Sequence, residues 1–491
     1  MFELPTIPTW LIAIDLLIRL AVAAQIISRR RPVQVSLMWL VVLAFIPFLG
    51  AFLYFLIGES RLGSRRLRRY LALSKDLDQR ASHLWRHQQS DVPADGEEPA
   101  QWAPIARFGT AVSGLPPLKG NRLTLIGDAH EVLAALLKDI DNAKSHVHLL
   151  YYIWQKDTPG PIEEIITPLL RAASRGVECR VLVDAVGAKH FLRGKHVRRL
   201  REGGVNVVVA LPVGIFRMLF DRIDLRNHRK IAVIDGTIAY CGSHNMIDDT
   251  FRVGWIWKTG KYIDSTIRIH GPAAGALGLV FLHDWLLDAD EKLEDVEKYV
   301  PDMRAKRGHT SAVQIIPSGP GPAPDAIHQA LLTTIYSARE ELLMTTPYFI
   351  PDDAMSKALQ AAVQRGVAVT LVMPADGDSW LVAAASRAHY SDLLEAGVRI
   401  LHYRGGLLHS KTITVDRQFA LIGSTNFDAR SFWLNFEVTV FVYDDDFASV
   451  IRFMQMSYVS ESYEVSLEEW RKRPFWQIYR DNAAQLLGPL L

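Results

Sequence analysis

The feature that most constrains this chain is that a long stretch of it occurs twice. The first copy contains Arg175-Gly176-Val177, Glu202-Gly203-Gly204-Val205 and His228-Arg229-Lys230. The second contains Arg365-Gly366-Val367, Glu395-Ala396-Gly397-Val398 and His409-Ser410-Lys411, in the same order. Short β-branched runs such as Cys179-Arg180-Val181-Leu182-Val183 and Val369-Thr370-Leu371-Val372 follow helical stretches that end in Arg-Gly. Helix, glycine stop and strand form the unit of an α/β layer fold. The repeat predicts two similar halves facing each other, with a site at their interface that draws equivalent residues from each.

The spacing inside each copy identifies that site. His228, Lys230 and Asp235 form one His, any residue, Lys, any four, Asp pattern, and six residues separate Asp235 from Gly242-Ser243-His244-Asn245. His409, Lys411 and Asp416 form the other, and six residues again lead to Gly423-Ser424-Thr425-Asn426. Alternation along a strand puts the His and Lys of each pair on one face, where both can address one anion. Lysine supplies a point charge for phosphate oxygens, and Ser243, Asn245, Ser424 and Asn426 supply neutral groups to support it. Histidine serves as nucleophile or acid near neutral pH, so a pair flanking one phosphorus supports double displacement: one attacks and the other protonates the leaving oxygen. A single histidine of this kind is more often a satisfied core residue, and it is the duplicated spacing that reverses that reading. Asp235 and Asp416 complete the catalytic motif, but each follows an apolar strand and precedes a turn, which favours a scaffold role.

Composition narrows the partners. The 491 residues exceed one average domain, and 55 Lys and Arg against 53 Asp and Glu leave a formal charge of +2, so no global field points to nucleic acid. Two cysteines, Cys179 and Cys241, provide no disulfide framework or Cys-rich zinc site and fit a reducing compartment, with one bridge between them left open. His190, His196 and His244 lack metal-ligand spacing, so no metal is expected.

The amino-terminal end reads as a membrane anchor. Ser36 to Ile57 is 22 residues without a charge, enough to cross a hydrocarbon core as a helix that kinks, without breaking, at Pro47 and Gly50. Trp10 to Ile27 reads as a second, weaker span, in which Asp15 and Arg19 pair one turn apart. A cleaved signal peptide is its rival, opposed by Glu3 and the lack of an early basic cluster; an interfacial or re-entrant helix is another. Arg29, Arg30 and Arg31 precede the second span, whereas Arg61, Arg65, Arg66, Arg68 and Arg69 follow it, which orients the body toward the cytoplasm. Ser90 to Pro99 is too polar to repay ordering and reads as a linker. The apolar run Val213 to Phe220 reads as core in preference to an acyl-chain entry. Trp470, Phe475 and Trp476 with Arg471, Lys472 and Arg473 read equally well as an interfacial anchor or a packed final helix.

The duplicated motif resembles the signature of the phospholipase D superfamily. Asp224 to Lys230, Thr346-Pro347-Tyr348-Phe349-Ile350-Pro351, Asn426 to Phe432, Asn435-Phe436-Glu437 and the carboxy-terminal Leu486 to Leu491 are similar to bacterial cardiolipin synthases. The resemblance implies an α/β fold of two α/β/α sandwich halves with the active site at their interface, after two transmembrane helices. It divides the chain into an anchor (1–60), a basic juxtamembrane segment and linker (61–105), a first half (106–300), an inter-half linker (301–312) and a second half (313–491). It implies phosphatidyl transfer between two phosphatidylglycerol molecules through a phosphohistidine, giving cardiolipin and glycerol without a cofactor. The alternative is a hydrolase or headgroup-exchange enzyme of the same superfamily; a decayed scaffold is disfavoured because both motifs keep every chemical group, and a nuclease by the spans and near-neutral charge. By the same resemblance His228 is the nucleophile, His409 the general acid, and Asp264 and Glu437 carboxylates that orient the histidines, each often supplied by the opposite half. The implied setting is the bacterial plasma membrane, multi-pass, with anionic lipids as partners, no nucleic acid, and oligomerisation left open.

Overall fold

A computed structural model describes residues 8–29, 33–58, 62–81, 101–155, 161–212, 222, 224–247, 261–293, 295–301 and 310–488. The linker Ser90 to Pro99, the run Val213 to Phe220, residues 302–309 of the inter-half segment, and Arg30, Arg31 and Arg61 lie outside the described residues. The chain divides into two compact units, residues 1–67 with 213–225, and residues 68–212 with 226–491.

In the larger unit the repeat becomes a repeated strand order. The first half runs Leu118–Ile126, Thr266–His270, Ile238–Gly242, Ile231–Ile234, His146–Tyr151, Glu178–Asp184, Asn206–Ala210 across its sheet. The second runs Ser311–Ser318, Glu437–Tyr443, Phe419–Gly423, Thr412–Val415, Glu341–Thr345, Ala368–Pro374, Arg399–Tyr403, with Ser462–Glu464 added at its edge. Antiparallel pairing of Leu118–Ile126 with Ser311–Ser318 fuses them into one 15-stranded sheet. Both central strands that follow the motif lysines, Ile231–Ile234 and Thr412–Val415, are buried throughout, which is why they read as unbroken β-branched and apolar runs. The Arg-Gly stops of the repeat are left-handed glycines, Gly176 at φ 85° and Gly366 at φ 91°, a conformation that ends a helix without steric cost.

Helices cover both faces. Ala129–Asp141, Pro161–Ser174 and Lys195–Glu202 bury Ile140, Ile165, Leu169 and Leu200 against the first sheet, while Ala326–Ser337 and Asp353–Gln364 do the same for the second. Pro272–Asp288 is apolar on all sides and buried along almost its whole length. It shares a core with Asp445–Ser460 that contains residues of both halves, among them Ile231, Val313, Ala420 and Val440. Burial of that size is the main force holding the halves in register.

The smaller unit departs from expectation. Thr9–Ser28 is a continuous 20-residue helix, long and apolar enough to cross a membrane. The segment expected to be the unbroken span is divided into Val33–Phe45, Leu49–Leu53 and a π-helical turn, Tyr54–Gly58. Proline cannot donate a helical hydrogen bond and disfavours helix in the residue before it, so the helix stops ahead of Pro47, and Phe48 takes φ 51°. The paired Asp15 and Arg19 supply partners for the groups the break leaves over. Phe48 N–H donates to Asp15 Oδ1 at 2.7 Å, and Arg19 donates to the carbonyl of Ala44 at 3.1 Å.

Candidate active site

Each motif histidine enters the site on backbone contributed by the opposite half. Asn227 forms a parallel bridge with Phe436, and the His228 N–H donates to the Phe436 carbonyl at 2.9 Å. Tyr262–Ile263 pairs in parallel with Leu407–Leu408, and the His409 N–H donates to the Ile263 carbonyl at 2.8 Å. The residues next in sequence after these anchoring segments are Glu437 and Asp264. Each carboxylate is therefore delivered to the histidine of the other half.

His409 Nδ1 lies 2.6 Å from Asp264 Oδ1, and His228 Nδ1 lies 3.3 Å from Glu437 Oε1 and 3.4 Å from Asn435 Nδ2. Ser243 Oγ donates to Asp264 Oδ1 at 2.6 Å, and Ser424 Oγ donates to Glu437 Oε2 at 2.5 Å, so each motif serine steers the carboxylate of its own half. A carboxylate at Nδ1 fixes the proton there and leaves the Nε2 lone pair available. The imidazoles keep 20% and 12% side-chain exposure, while the carboxylates are buried.

Lys230 Nζ donates to the His228 carbonyl at 2.5 Å and Lys411 Nζ to the His409 carbonyl at 2.6 Å, which uses one ammonium proton of three in each case. Burial pushes Lys411 down to about 7, against the pull of Asp264 and with help from Lys230, and burial also lowers Lys230. Burial pushes His228 down to about 4 despite Glu437, so it is neutral at physiological pH. His409 is lowered by burial and Lys411, with Asp264 opposing. Burial disfavours the charge on Asp264 and Glu437, but their histidine partners outweigh it and hold both below the usual carboxylate range. Two lysines, a neutral His228 and the carboxylate-paired His409, all crowded away from water, form a cradle for an anion.

The remaining motif residues divide. Asn245 Oδ1 accepts the Ile153 N–H at 3.1 Å and fixes a loop, whereas Asn426 Oδ1 is buried without a partner among the described residues. Asp235 and Asp416 lie at the far ends of the central strands from the motif lysines, at φ 52° and 51°. Asp235 accepts the N–H groups of Lys144, Ser145 and His146, and Asp416 those of Arg339, Glu340 and Glu341. These bonds, at the strand end opposite the motif lysines, speak for the scaffold role that the sequence favours for both aspartates over a part in the reaction.

Sequence reasoning missed Tyr152, whose ring centroid is 4.0 Å from that of His228, and Tyr262, 5.5 Å from His409. It also missed the buried Arg229–Asp284 pair, 2.5 Å apart, in which Arg229 donates further to the carbonyls of Glu437 and Ser318. Tyr262 stands two residues before Asp264 and Arg229 between His228 and Lys230, so proximity to the motifs was the only available signal. Cys179 and Cys241 are free and buried.

Comparison with known proteins places the chain in a family. The family described as "Cardiolipin synthase, PLD-like domain" matches residues 136–255 and 331–454, one match in each half, and a phospholipase D-nuclease N-terminal family matches residues 9–59. Cardiolipin synthase A of Proteus mirabilis is 37% identical over 96% of this chain and 96% of its own length. That of Yersinia pseudotuberculosis is 38% identical over 99% of each. The chain belongs to the cardiolipin synthase family. Its two-repeat fold is that of the wider phospholipase D superfamily. A phosphatidylserine synthase from Haemophilus influenzae superposes with a TM-score of 0.56 over 78% of this chain at 16% identity, a likeness of fold alone.

Proposed function

We propose that the chain is a membrane-bound phosphatidyltransferase that converts two phosphatidylglycerol molecules into cardiolipin and glycerol through a phosphohistidine. The observation that carries this reading is the crossed pairing of His228 with Glu437 and His409 with Asp264, which occupies Nδ1 of both imidazoles and leaves Nε2 for the chemistry, as a lone pair on His228 and as the N–H of an imidazolium on His409.

In the first step the His228 Nε2 lone pair attacks phosphorus, the bond to the headgroup glycerol oxygen breaks, and His409 gives that oxygen its proton. In the second, His409 takes the proton from a hydroxyl of another phosphatidylglycerol, whose oxygen attacks phosphorus and expels His228. One phosphodiester is exchanged for another, so no nucleotide is consumed. Lys230 and Lys411 neutralise the phosphoryl oxygens, and Asn426 Oδ1 offers an acceptor for a lipid hydroxyl. The assignment of roles follows the two environments. His228 is held neutral, as a nucleophile must be, and the closer carboxylate at His409 stabilises the imidazolium of an acid.

In the same reading residues 1–60 anchor the protein as a two-armed helical hairpin, the second arm crossing in two pieces, with the body on the cytoplasmic side of the plasma membrane. The halves occupy 106–300 and 313–491.

The test is to incubate purified protein with phosphatidylglycerol alone and follow lipids and glycerol by mass spectrometry. Cardiolipin with equimolar glycerol supports transfer; phosphatidic acid makes the protein a hydrolase, and an unchanged lipid pool refutes the donor.

A further inference from the structure

The carboxy-terminal helix is built inside out. Phe475–Gln485 turns the charged Asp481 inward, where it is 1% exposed, and turns Phe475 (78% exposed), Trp476 and Tyr479 outward. Leu486 and Leu487 extend the outward surface, and Trp380, at the start of the neighbouring helix Trp380–Arg387, is exposed as well. A helix that solvates its aromatics and buries its acid gains nothing from water on its outer face.

The buried acid has a second consequence. Arg387, Arg473 and Arg480 all bond to Asp481, so three guanidiniums share one carboxylate and an excess of two positive charges stays beside the aromatic surface. Arg471 and Lys472 are neutralised by Glu395 and Glu468 and add nothing to it. Rings of mixed polarity beside unneutralised arginines match the chemistry of an anionic bilayer surface, where aromatic bodies sit among headgroups and cations face phosphates.

The surface is tied to the catalytic cradle. Ala484 packs with Ile350, Ala384 and Ala385 in one cluster, and the Ile350 N–H donates to the carbonyl of Phe427, the neighbour of Asn426, at 2.8 Å. We propose that Phe475, Trp476, Tyr479, Leu486 and Leu487 form an interfacial membrane contact for anionic lipid, separate from the amino-terminal anchor, that seats the second half of the body on the bilayer. The proposal rests on the lipid-substrate reading only for its purpose, and its test does not use turnover.

The full-length protein is reconstituted into vesicles of phosphatidylcholine and phosphatidylserine with a bilayer-quenched fluorophore at Trp476→Cys or Tyr479→Cys, and at Asn142→Cys as an exposed reference. Quenching by lipid-borne nitroxides several-fold stronger at 476 and 479 than at 142, and weaker in phosphatidylcholine alone, is the expected result. Equal quenching at all three positions overturns the proposal, as does cross-linking of position 476 between two copies of the chain in place of quenching. Because phosphatidylserine lacks the glycerol headgroup, the result stands or falls independently of whether the enzyme makes cardiolipin.

Discussion

Asp264, from one half of the molecule, lies 2.6 Å from Nδ1 of His409 in the other, and the two residues reach each other through paired backbone segments immediately before them in sequence. In the proposed mechanism this contact supports His409 as the acid. A phosphodiester with a nitrophenyl leaving group needs no proton donor, so Asp264→Asn and His409→Ala should still release one rapid equivalent of nitrophenolate and leave the remaining phosphoryl ester on His228. With phosphatidylglycerol the same variants should lose about 10²–10⁴-fold in kcat. His228→Ala should give neither burst nor turnover. Rapid-quench kinetics read all three, and full activity of His409→Ala with phosphatidylglycerol would refute the two-histidine mechanism.

The electrostatics of the cradle predict how anion binding depends on pH. Burial lowers Lys411 from 10.5 to about 7, so between those values the folded state binds fewer protons than the unfolded chain. The contribution of this group to stability is therefore least favourable below about pH 7 and improves as pH rises toward the unfolded value. A bound dianion reverses the effect by returning the proton to the ammonium. Sulfate, whose charge is constant over this range, should raise the melting temperature more at pH 6 than at pH 9. Lys411→Met should remove the excess at pH 6 and stabilise the anion-free protein there, on the order of 1–3 kcal/mol. An identical sulfate response at both pH values would sink the assignment.

What could be read before the structure was what the chain repeats or patterns locally. The spacings from His228 to Asn245 and from His409 to Asn426 identified both strand-and-turn units because a duplicated interval survives without any knowledge of the fold. Glu437 and Asp264 came from resemblance alone, since nothing local says that a carboxylate will cross to the opposite half. The Arg229–Asp284 pair joins residues 55 apart and was invisible for the same reason. The segment after Ser36 was misread because hydropathy was allowed to outweigh Pro47, although the proline was the local signal for the break.

Asp235 and Asp416 separate folding from chemistry. Each carboxylate accepts three backbone N–H groups from the turn that begins a neighbouring strand, and each backbone is left-handed, which Asp and Asn tolerate better than most residues. Asp235→Ala and Asp416→Ala should each cost about 1–3 kcal/mol in denaturant unfolding, because three backbone N–H groups lose one charged acceptor together. The kcat of the folded fraction should change less than about threefold, far below the loss expected for a general acid or base. A loss above a hundredfold in protein of unchanged stability would return these aspartates to the catalytic machinery.

The hairpin of the smaller unit makes a prediction of its own. On the two-armed reading proposed above, the second arm lies in hydrocarbon, where every backbone group needs a partner within the protein, and the break at Pro47 releases the N–H of Phe48 and the carbonyl of Ala44. Asp15 and Arg19 meet these two groups directly, which explains how ionisable residues persist in an otherwise apolar helix. Asp15→Leu removes the acceptor of Phe48 and leaves Arg19 without its counter-ion, at a cost of roughly 2–4 kcal/mol, or roughly 30-fold to 10³-fold in local opening. Amide hydrogen exchange across residues 46–50 in detergent should accelerate by that factor. Asp15→Asn keeps an acceptor oxygen and should change exchange far less, and Phe48→Gly should slow it by relieving about 1 kcal/mol of strain from a positive-φ turn conformation that glycine adopts freely. If Asp15→Leu exchanges at the wild-type rate, the break is held by packing against neighbouring side chains, and the buried ion pair has another purpose.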